Sequence, residues 1–514
     1  MGVDKQVKKT LFIKNALILT ASSLILRFVG IIFKVWLAAL IGSEGIGLYQ
    51  LIFSVYVLAA TFATSGICTA VTRLVAEELA LGSKKGTLKI LRRAIEITLL
   101  IAAVSVAIVY FGAEFIADRF IGDMRAVPAL KILPLSLPFM GITSCLRGYF
   151  IARRKVTPNA VSQLFEQAVR ILLVVVLVKK FCNKGLAACS AAVLFGDTAA
   201  EIFSFLLLGL IWFGDRKKLN ALNGRIRPPF GIVRRILHIS VPITSGRYLN
   251  TALRTAENIL VPKNLAKYPH LGELALSQFG MIKGMALPIL FFPSTLLNSI
   301  STLLIPEMSE AAAKGRTGLV KAATRNILKL TAVMSFIFAA IFLVGGKEIG
   351  LLIYKSEEVG SLLRALSPIV PLMYLDSVSD GILKGLDQQA FSFRTAITDS
   401  VLRIILILLT LPRFGLRGFI WIMYFSNLLT CALNVGRLIK VSKARLKLLN
   451  EVILPLSAAF CITLLADTIL RTVTVINNFV YLLLICLISI PLYLLFIFLI
   501  GTVTADDVRD FFRR

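Results

Sequence analysis

Histidine is nearly missing from this 514-residue chain, which carries only His238 and His270. That scarcity excludes a histidine-based metal site or a Ser-His-Asp enzyme as a working expectation. His238 reads as a residue at a helix start. The seven cysteines (Cys68, Cys145, Cys182, Cys189, Cys431, Cys461 and Cys486) lie mostly inside apolar runs and form no CxxC. Neither a metal site nor a disulfide framework is therefore expected. Acids are scarce too, 28 Asp+Glu against 57 Lys+Arg, for a net charge of +29. The short alternating segments of a β-barrel are missing. So is a small-residue cleavage site behind a short apolar core. The first apolar run, which starts near Asn15, reads as a retained signal-anchor.

What the chain has is apolar length. Hydrophobic residues make up 57% of it, and the mean hydropathy is +0.84. A soluble domain holds about 45–50% apolar residues. The excess lies in runs such as Ile97–Phe111, Ile171–Val178 with its flanks, Leu402–Leu411 with its flanks, and Phe479–Ile500. Runs of roughly 20 apolar residues cross a hydrocarbon core about 30 Å thick, and in lipid they must be helices. The pattern predicts an all-α polytopic membrane protein of about 14 transmembrane helices. The first covers 15–41, the seventh 236–262, and the eighth 272–303, where Pro288 and Pro293 interrupt it. The Lys and Arg excess falls on segments that share one side if the N-terminus is cytoplasmic, so both termini are expected inside. Topology and contact with anionic lipid headgroups then account for the net charge. The basic stretch Asp215–Arg235 has no aromatic interleaving, and no nucleic-acid partner is expected.

The chain also repeats itself. At a shift of 233, Glu77 falls on Glu310, Gly82 on Gly315, Arg92 on Arg325, Pro138 on Pro371 and Met140 on Met373. Gly148 falls on Gly381, Glu166 on Asp399, Arg170 on Arg403, and Gly185 on Gly418. At a shift of 220, Arg27 falls on Arg247 and Lys34 on Arg254. Two six-helix lobes follow as a parallel repeat about the membrane normal, with a central cavity and alternating access. The expected division is an N-lobe with its cytoplasmic linker over 1–235, a C-lobe over 236–440, and an appended helix pair with a cytoplasmic tail over 441–514.

Ionisable residues at helix centres cost about 2.5–3.5 kcal/mol each on insertion scales, so each asks for a reason. Arg27 and Lys34 lie seven apart on one helix, and Arg247 and Arg254 repeat that spacing; Lys283 sits before Pro288. Turned inward, these five make a cationic cavity suited to phosphate or pyrophosphate. The competing reading pairs Arg27 with Glu257 and lets Lys34 and Arg254 snorkel to an interface. Topology explains Arg147 and the run Arg153-Arg154-Lys155 at a cytoplasmic helix end. Arg170 and Arg403 each follow an acid by four residues and read as self-neutralised structural pairs. Asp197, Glu201, Asp376 and Asp380 are candidates for ion or proton coupling.

The stretches LRFVGIIFKVWLAALIGSEGIGLYQ (26–50), SGICTAVTRLVAEELALG (65–82), LRGYFIARRKVTPNAVSQLFEQAVR (146–170) and IKGMALPILFFPSTLLNSISTLLIPEMSEAAAKG (282–315) carry a family resemblance. Over its whole length the chain resembles the multidrug/oligosaccharidyl-lipid/polysaccharide exporter superfamily. Within it, the chain is similar to the polysaccharide-biosynthesis branch of stage V sporulation protein B and the MurJ-like lipid II flippases. The resemblance implies a V-shaped two-lobe fold and export of undecaprenyl-pyrophosphate-linked sugars. It also implies essential cations in the first and eighth helices. Arg27 matches the first of these, Lys34 the second with a one-residue offset, and Lys283 the eighth-helix arginine. The second-helix arginines of those flippases align with Ala60 and Thr61, and their acid after the first helix has only Glu44 as a counterpart. The multidrug branch depends on an acid in the first helix, where this chain offers Arg27 and Lys34.

The expected function is a flippase for a peptidoglycan or polysaccharide precursor in the bacterial cytoplasmic membrane. Its partners would be the lipid-linked oligosaccharide, membrane lipids, and cell-wall or polysaccharide synthesis enzymes. No cofactor is expected beyond H+ or Na+ coupling or the membrane potential. The alternatives are a cation-coupled multidrug exporter of the same superfamily and a membrane glycosyltransferase, which would need a large outer loop with catalytic acids or a metal.

Overall fold

In a computed structural model, residues 2–218, 231–269, 271–444, 447–473 and 477–502 are described, and among them are helices and turns but no strand. His270, most of the basic stretch 215–235 and the C-terminal tail from 503 lie outside the described residues. The main helices are α1 (Gly2–Thr64), α2 (Ile67–Ala80), α3 (Lys84–Phe111), α4 (Leu137–Ala152), α5 (Thr157–Phe181), α6 (Leu186–Lys218) and α7 (Ile232–Leu265). They continue as α8 (Ala275–Phe291), α9 (Ser294–Ala313), α10 (Thr317–Tyr354), α11 (Glu357–Leu366), α12 (Val370–Gly385), α13 (Gln389–Ser442), α14 (Leu454–Val473) and α15 (Asn478–Leu499).

Nine helices among the described residues are long and apolar enough to cross a membrane, or ten if α8 and the start of α9, bent by 61°, count as one span. The sequence divides the chain more finely for physical reasons. α1 and α13 each join two expected spans across a single glycine. Gly42 has φ 76° and ψ 178°, and Gly415 has φ 55° and ψ −136°, conformations that a side chain would resist. α7 carries Arg247, Arg254, Glu257 and two prolines, which dilute its apolar character. Large apolar side chains such as Leu172, Leu210, Leu465 and Leu499 stand exposed on the helices, as lipid contact requires.

The described chain forms two compact units. One comprises Met1–Phe33 and Gly47–Lys263, the other Lys34–Ile46 and Asn264–Arg514. Most of α7 therefore packs in the first unit, beyond the expected boundary at 235. A polar seam ties it to the second half of α1. Thr255 Oγ1 donates to the Ser54 carbonyl at 3.0 Å, Asn258 Nδ2 to Ser54 Oγ at 2.9 Å, and Thr244 Oγ1 to the Ser65 carbonyl at 2.6 Å. Nearby, Ile67, Leu74, Leu91, Leu146, Tyr149, Phe150, Leu208 and Ile236 form an apolar core. Arg153 and Lys155, which topology seemed to explain, here hold a buried acid at the end of α6. Asp215 accepts from Arg153, from Lys155 Nζ at 2.6 Å and from Tyr149 Oη at 2.9 Å.

In the second unit the apolar stretch of α10 is mostly buried inside the protein. The appended pair α14 and α15 closes on it through Phe336, Ile341, Ala459, Ile485 and Tyr493, with Tyr493 Oη donating to the Val333 carbonyl at 3.1 Å. Arg471 fastens one end by donating to Glu348 at 3.0 Å. The 233-residue repeat is visible in the packing. In the first unit Gly148 leaves no room for a methyl group, which would meet the Cys68 carbonyl oxygen at 2.7 Å. In the second, Gly381 faces Ser301, the counterpart of Cys68, at 2.4 Å from such a methyl.

One expectation is corrected. Cys182 and Cys189 are joined in a disulfide, with Cα atoms 4.2 Å apart. Gly185, at φ +105°, reverses the chain between α5 and α6 and brings the two positions together. A spacing of seven within apolar sequence gives no hint of this.

Candidate functional site

The five cations singled out by the sequence fall into two sets. Arg27, Arg247 and Arg254 belong to the first unit and Lys34 and Lys283 to the second. Arg27 and Lys34 thus share one helix yet cluster with different units. The three arginines are exposed. The intramembrane acid Glu257 is buried. Arg247 and Arg254 lie two turns apart on α7, beside the face that Thr244, Tyr248, Thr251, Thr255 and Asn258 turn toward α1.

Within the second unit the two lysines come together. Lys283 lies in a π-helical turn, Met281–Ala286, just before Pro288. π-turns are rare and frequent at functional sites. The turn lies tight against the Lys34–Ile46 segment, where a methyl on Gly284 would come within 2.6 Å of the Ile46 side chain. Ser43 and Ser277 hydroxyls bond at 2.7 Å across the same contact. The ammonium groups of Lys34 and Lys283 are close enough to repel each other. That of Lys283 also lies 6.0 Å from the centroid of the Phe419 ring, a cation–π contact. Both lysines are half-buried, and intramembrane cations of this kind mark candidate functional sites.

A second group is acidic. In the first unit Asp197 and Glu201 on α6, each 7% exposed, meet Glu166 and Arg170 on α5 and Arg147 on α4. Arg170 lies 2.9 Å from Glu166, 3.1 Å from Asp197 and 3.9 Å from Glu201. Arg147 reaches the other Glu166 oxygen at 3.0 Å. Tyr49 Oη donates to Asp197 at 3.4 Å. The expected Glu166–Arg170 pair is present, but it is one edge of a five-charge network. Arg147 turns inward to that network, which topology alone did not anticipate.

In the second unit Asp376 and Asp380 lie on α12, the counterpart of α4. Asp376 accepts from Asn434 Nδ2 at 2.7 Å, and Asp380 pairs with Lys384 one turn on. The Asp399–Arg403 pair is looser, at 3.9 Å, and Ser426 donates to Asp399. The same shift of 233 sets Asp197 against Thr430, Glu201 against Asn434, and Arg147 against Asp380. The internal repeat is thus a sequence signal that connects the polar residues of the two halves. No group of three or more His, Cys, Asp or Glu side chains among the described residues converges as a metal ion would require.

Comparison with known proteins places these features. The family described as "Polysaccharide biosynthesis protein" matches residues 12–278. Stage V sporulation protein B of Bacillus subtilis (strain 168) is 27% identical over 446 residues, covering 86% of each chain. Lipid II flippase MurJ of the same organism is 22% identical over 417 residues, covering 77% of this chain and 76% of its own. Among solved structures, the inward closed conformation of a lipid II flippase MurJ superposes with a TM-score of 0.69 at 17% identity, covering 93% of this chain and 98% of its own. An inward-facing multidrug resistance MATE transporter of the MOP superfamily gives 0.65 at 13% identity, covering 82% and 96%.

Proposed function

The chain belongs to the polysaccharide biosynthesis protein family, and from that premise we propose that it is a flippase for an undecaprenyl-pyrophosphate-linked glycan precursor. It works in the cytoplasmic membrane with both termini inside, and by alternating access. The observation that carries this reading is the Lys34–Lys283 pair, a lysine of α1 beside one on the π-turn of α8. Such a pair is stabilised by a bound anion, and a diphosphate supplies one. Arg27, Arg247 and Arg254 add guanidinium groups able to bind phosphate oxygens in pairs. The first expected span, 15–41, carries no acid to attract an organic cation, which supports a lipid-linked anion over a cationic drug.

The polar headgroup cannot cross lipid unaided, so the protein supplies a charged route. Cations bind the diphosphate from the side where the precursor is made, the site is re-exposed on the other side, and the lipid tail stays in the bilayer. No bond is made or broken. Coupling to H+ or Na+ falls to the acidic groups at Asp197, Glu201, Asp376 and Asp380.

The test is complementation of a flippase-depleted strain, with protein abundance checked by blot. Lys283→Ala and Arg27→Ala should each retain little activity at normal abundance. Arg27→Lys, which keeps charge but loses the paired hydrogen bonds, should retain part of it. Full complementation by both alanine variants would remove the cationic set from the transport site.

A further inference from the structure

We propose that Glu201 and Glu166 hold one exchangeable proton between them, in a site that the first unit builds from α1, α4, α5 and α6. Its use as the coupling site rests on the transport reading above; the proton site itself does not.

The first argument is charge. Three carboxylates (Glu166, Asp197 and Glu201) share this buried group with two guanidinium groups, those of Arg147 and Arg170. Tyr49 and Tyr56 face it from α1. An uncompensated carboxylate in such a place is strongly unfavourable, and two neighbouring acids that share one proton remove it.

Hydrogen bonding then says which acid carries the proton. Glu166 is occupied by Arg147 at 3.0 Å and Arg170 at 2.9 Å. Asp197 accepts from Tyr49 Oη at 3.4 Å and lies 3.1 Å from Arg170 Nε, an ion pair without a hydrogen bond. Glu201 is left with Arg170 at 3.9 Å, and its Oε2 is buried with no hydrogen-bond partner. Both acids meet the same Arg170 Nη2, Glu166 at 2.9 Å and Glu201 at 3.9 Å, so their carboxyl groups are neighbours. A proton on Glu201, donated to Glu166, satisfies the orphan oxygen and the surplus charge together.

The internal repeat supplies independent support. The counterpart of Glu201 in the second half is Asn434, whose Nδ2 donates to Asp376 at 2.7 Å. Its Oδ1 is buried and unpartnered, as Glu201 Oε2 is. A side-chain amide is the permanently neutral analogue of a protonated carboxyl. Where the second half has a fixed N–H donor to an acid, the first half has a donor that can leave. A metal ion fits less well, because both oxygens of Glu166 are already committed to guanidinium groups.

The experiment is a pH titration of the full-length protein in lipid nanodiscs, followed by infrared absorption in the carboxylic-acid C=O region without substrate. The wild type should show a protonated-acid band that is lost reversibly as pH rises and is indifferent to sodium. Glu201→Gln should lack that band, and Asp376→Asn should keep it. Glu201→Asp retains a titratable group and should keep the band with a displaced midpoint, which secures the test if the glutamine variant folds poorly. Absence of a titrating band in the wild type, its persistence in Glu201→Gln, or its loss on adding sodium at constant pH would each overturn the proposal. If the band behaves as expected and complementation fails, the flippase reading falls and the proton site stands.

Discussion

Lys34 and Lys283 repel each other where they stand, so replacing one of them should stabilise the empty protein while destroying its activity. Lys34→Glu converts the repulsion into an ion pair worth on the order of 1 kcal/mol at a partly solvated site. The melting temperature of the detergent-solubilised protein should rise, and complementation should be lost. A lower melting temperature would mean that Lys34 is held by some other favourable contact and that the pair is not an anion site. At this scale much of the site was legible. Arg27, Lys34, Arg247, Arg254 and Lys283 were all singled out by spacing and by their presence in apolar helices. The partition between units was not, because Arg27 and Lys34 lie on one face of one helix and nothing local marks a boundary between them. The inward turn of Arg147 was hidden for a similar reason, since a helix end near a basic loop accounts for an arginine without further help.

Helices and their joints carry the next test. If the turn between α5 and α6 lies outside the membrane, as the proposed orientation requires, its cysteines sit where disulfides persist. Protein denatured without reductant should take five maleimide labels per chain, and reduction should raise this to seven. Seven labels without reductant would place that turn in a reducing compartment or leave the thiols apart. The helical class was plain from apolar runs too long for a soluble core. The joints were harder to read. Gly42 and Gly415, each non-helical, part α1 and α13 into two helices close to the expected breaks at 41–47 and 412–416, but a glycine among apolar residues does not reveal how sharp such a kink is. The π-turn at Lys283 was equally silent, since its sequence, Met-Ile-Lys-Gly-Met-Ala, is compatible with an ordinary helix.

For the whole molecule, orientation is the firmest outcome to check. In a cysteine-free background, Lys218→Cys should resist an impermeant thiol reagent applied to intact cells, and Lys267→Cys should react. Labelling at 218 from outside would invert the assignment. The compact units also bear on how the protein is made, because neither is a continuous stretch of chain. The strip Lys34–Ile46 leaves the ribosome early, yet the helices it packs with, α8 among them, come more than two hundred residues later. The first unit is likewise incomplete until α7 has emerged. A fragment ending at 235 would present the unsatisfied Ser54 and Ser65 face of α1 to lipid and should be degraded. One ending at 263 supplies that seam and should accumulate to a higher level. Insertion and assembly are thus separated in time, and the nascent first half must wait in the bilayer with a strip of its neighbour already in place.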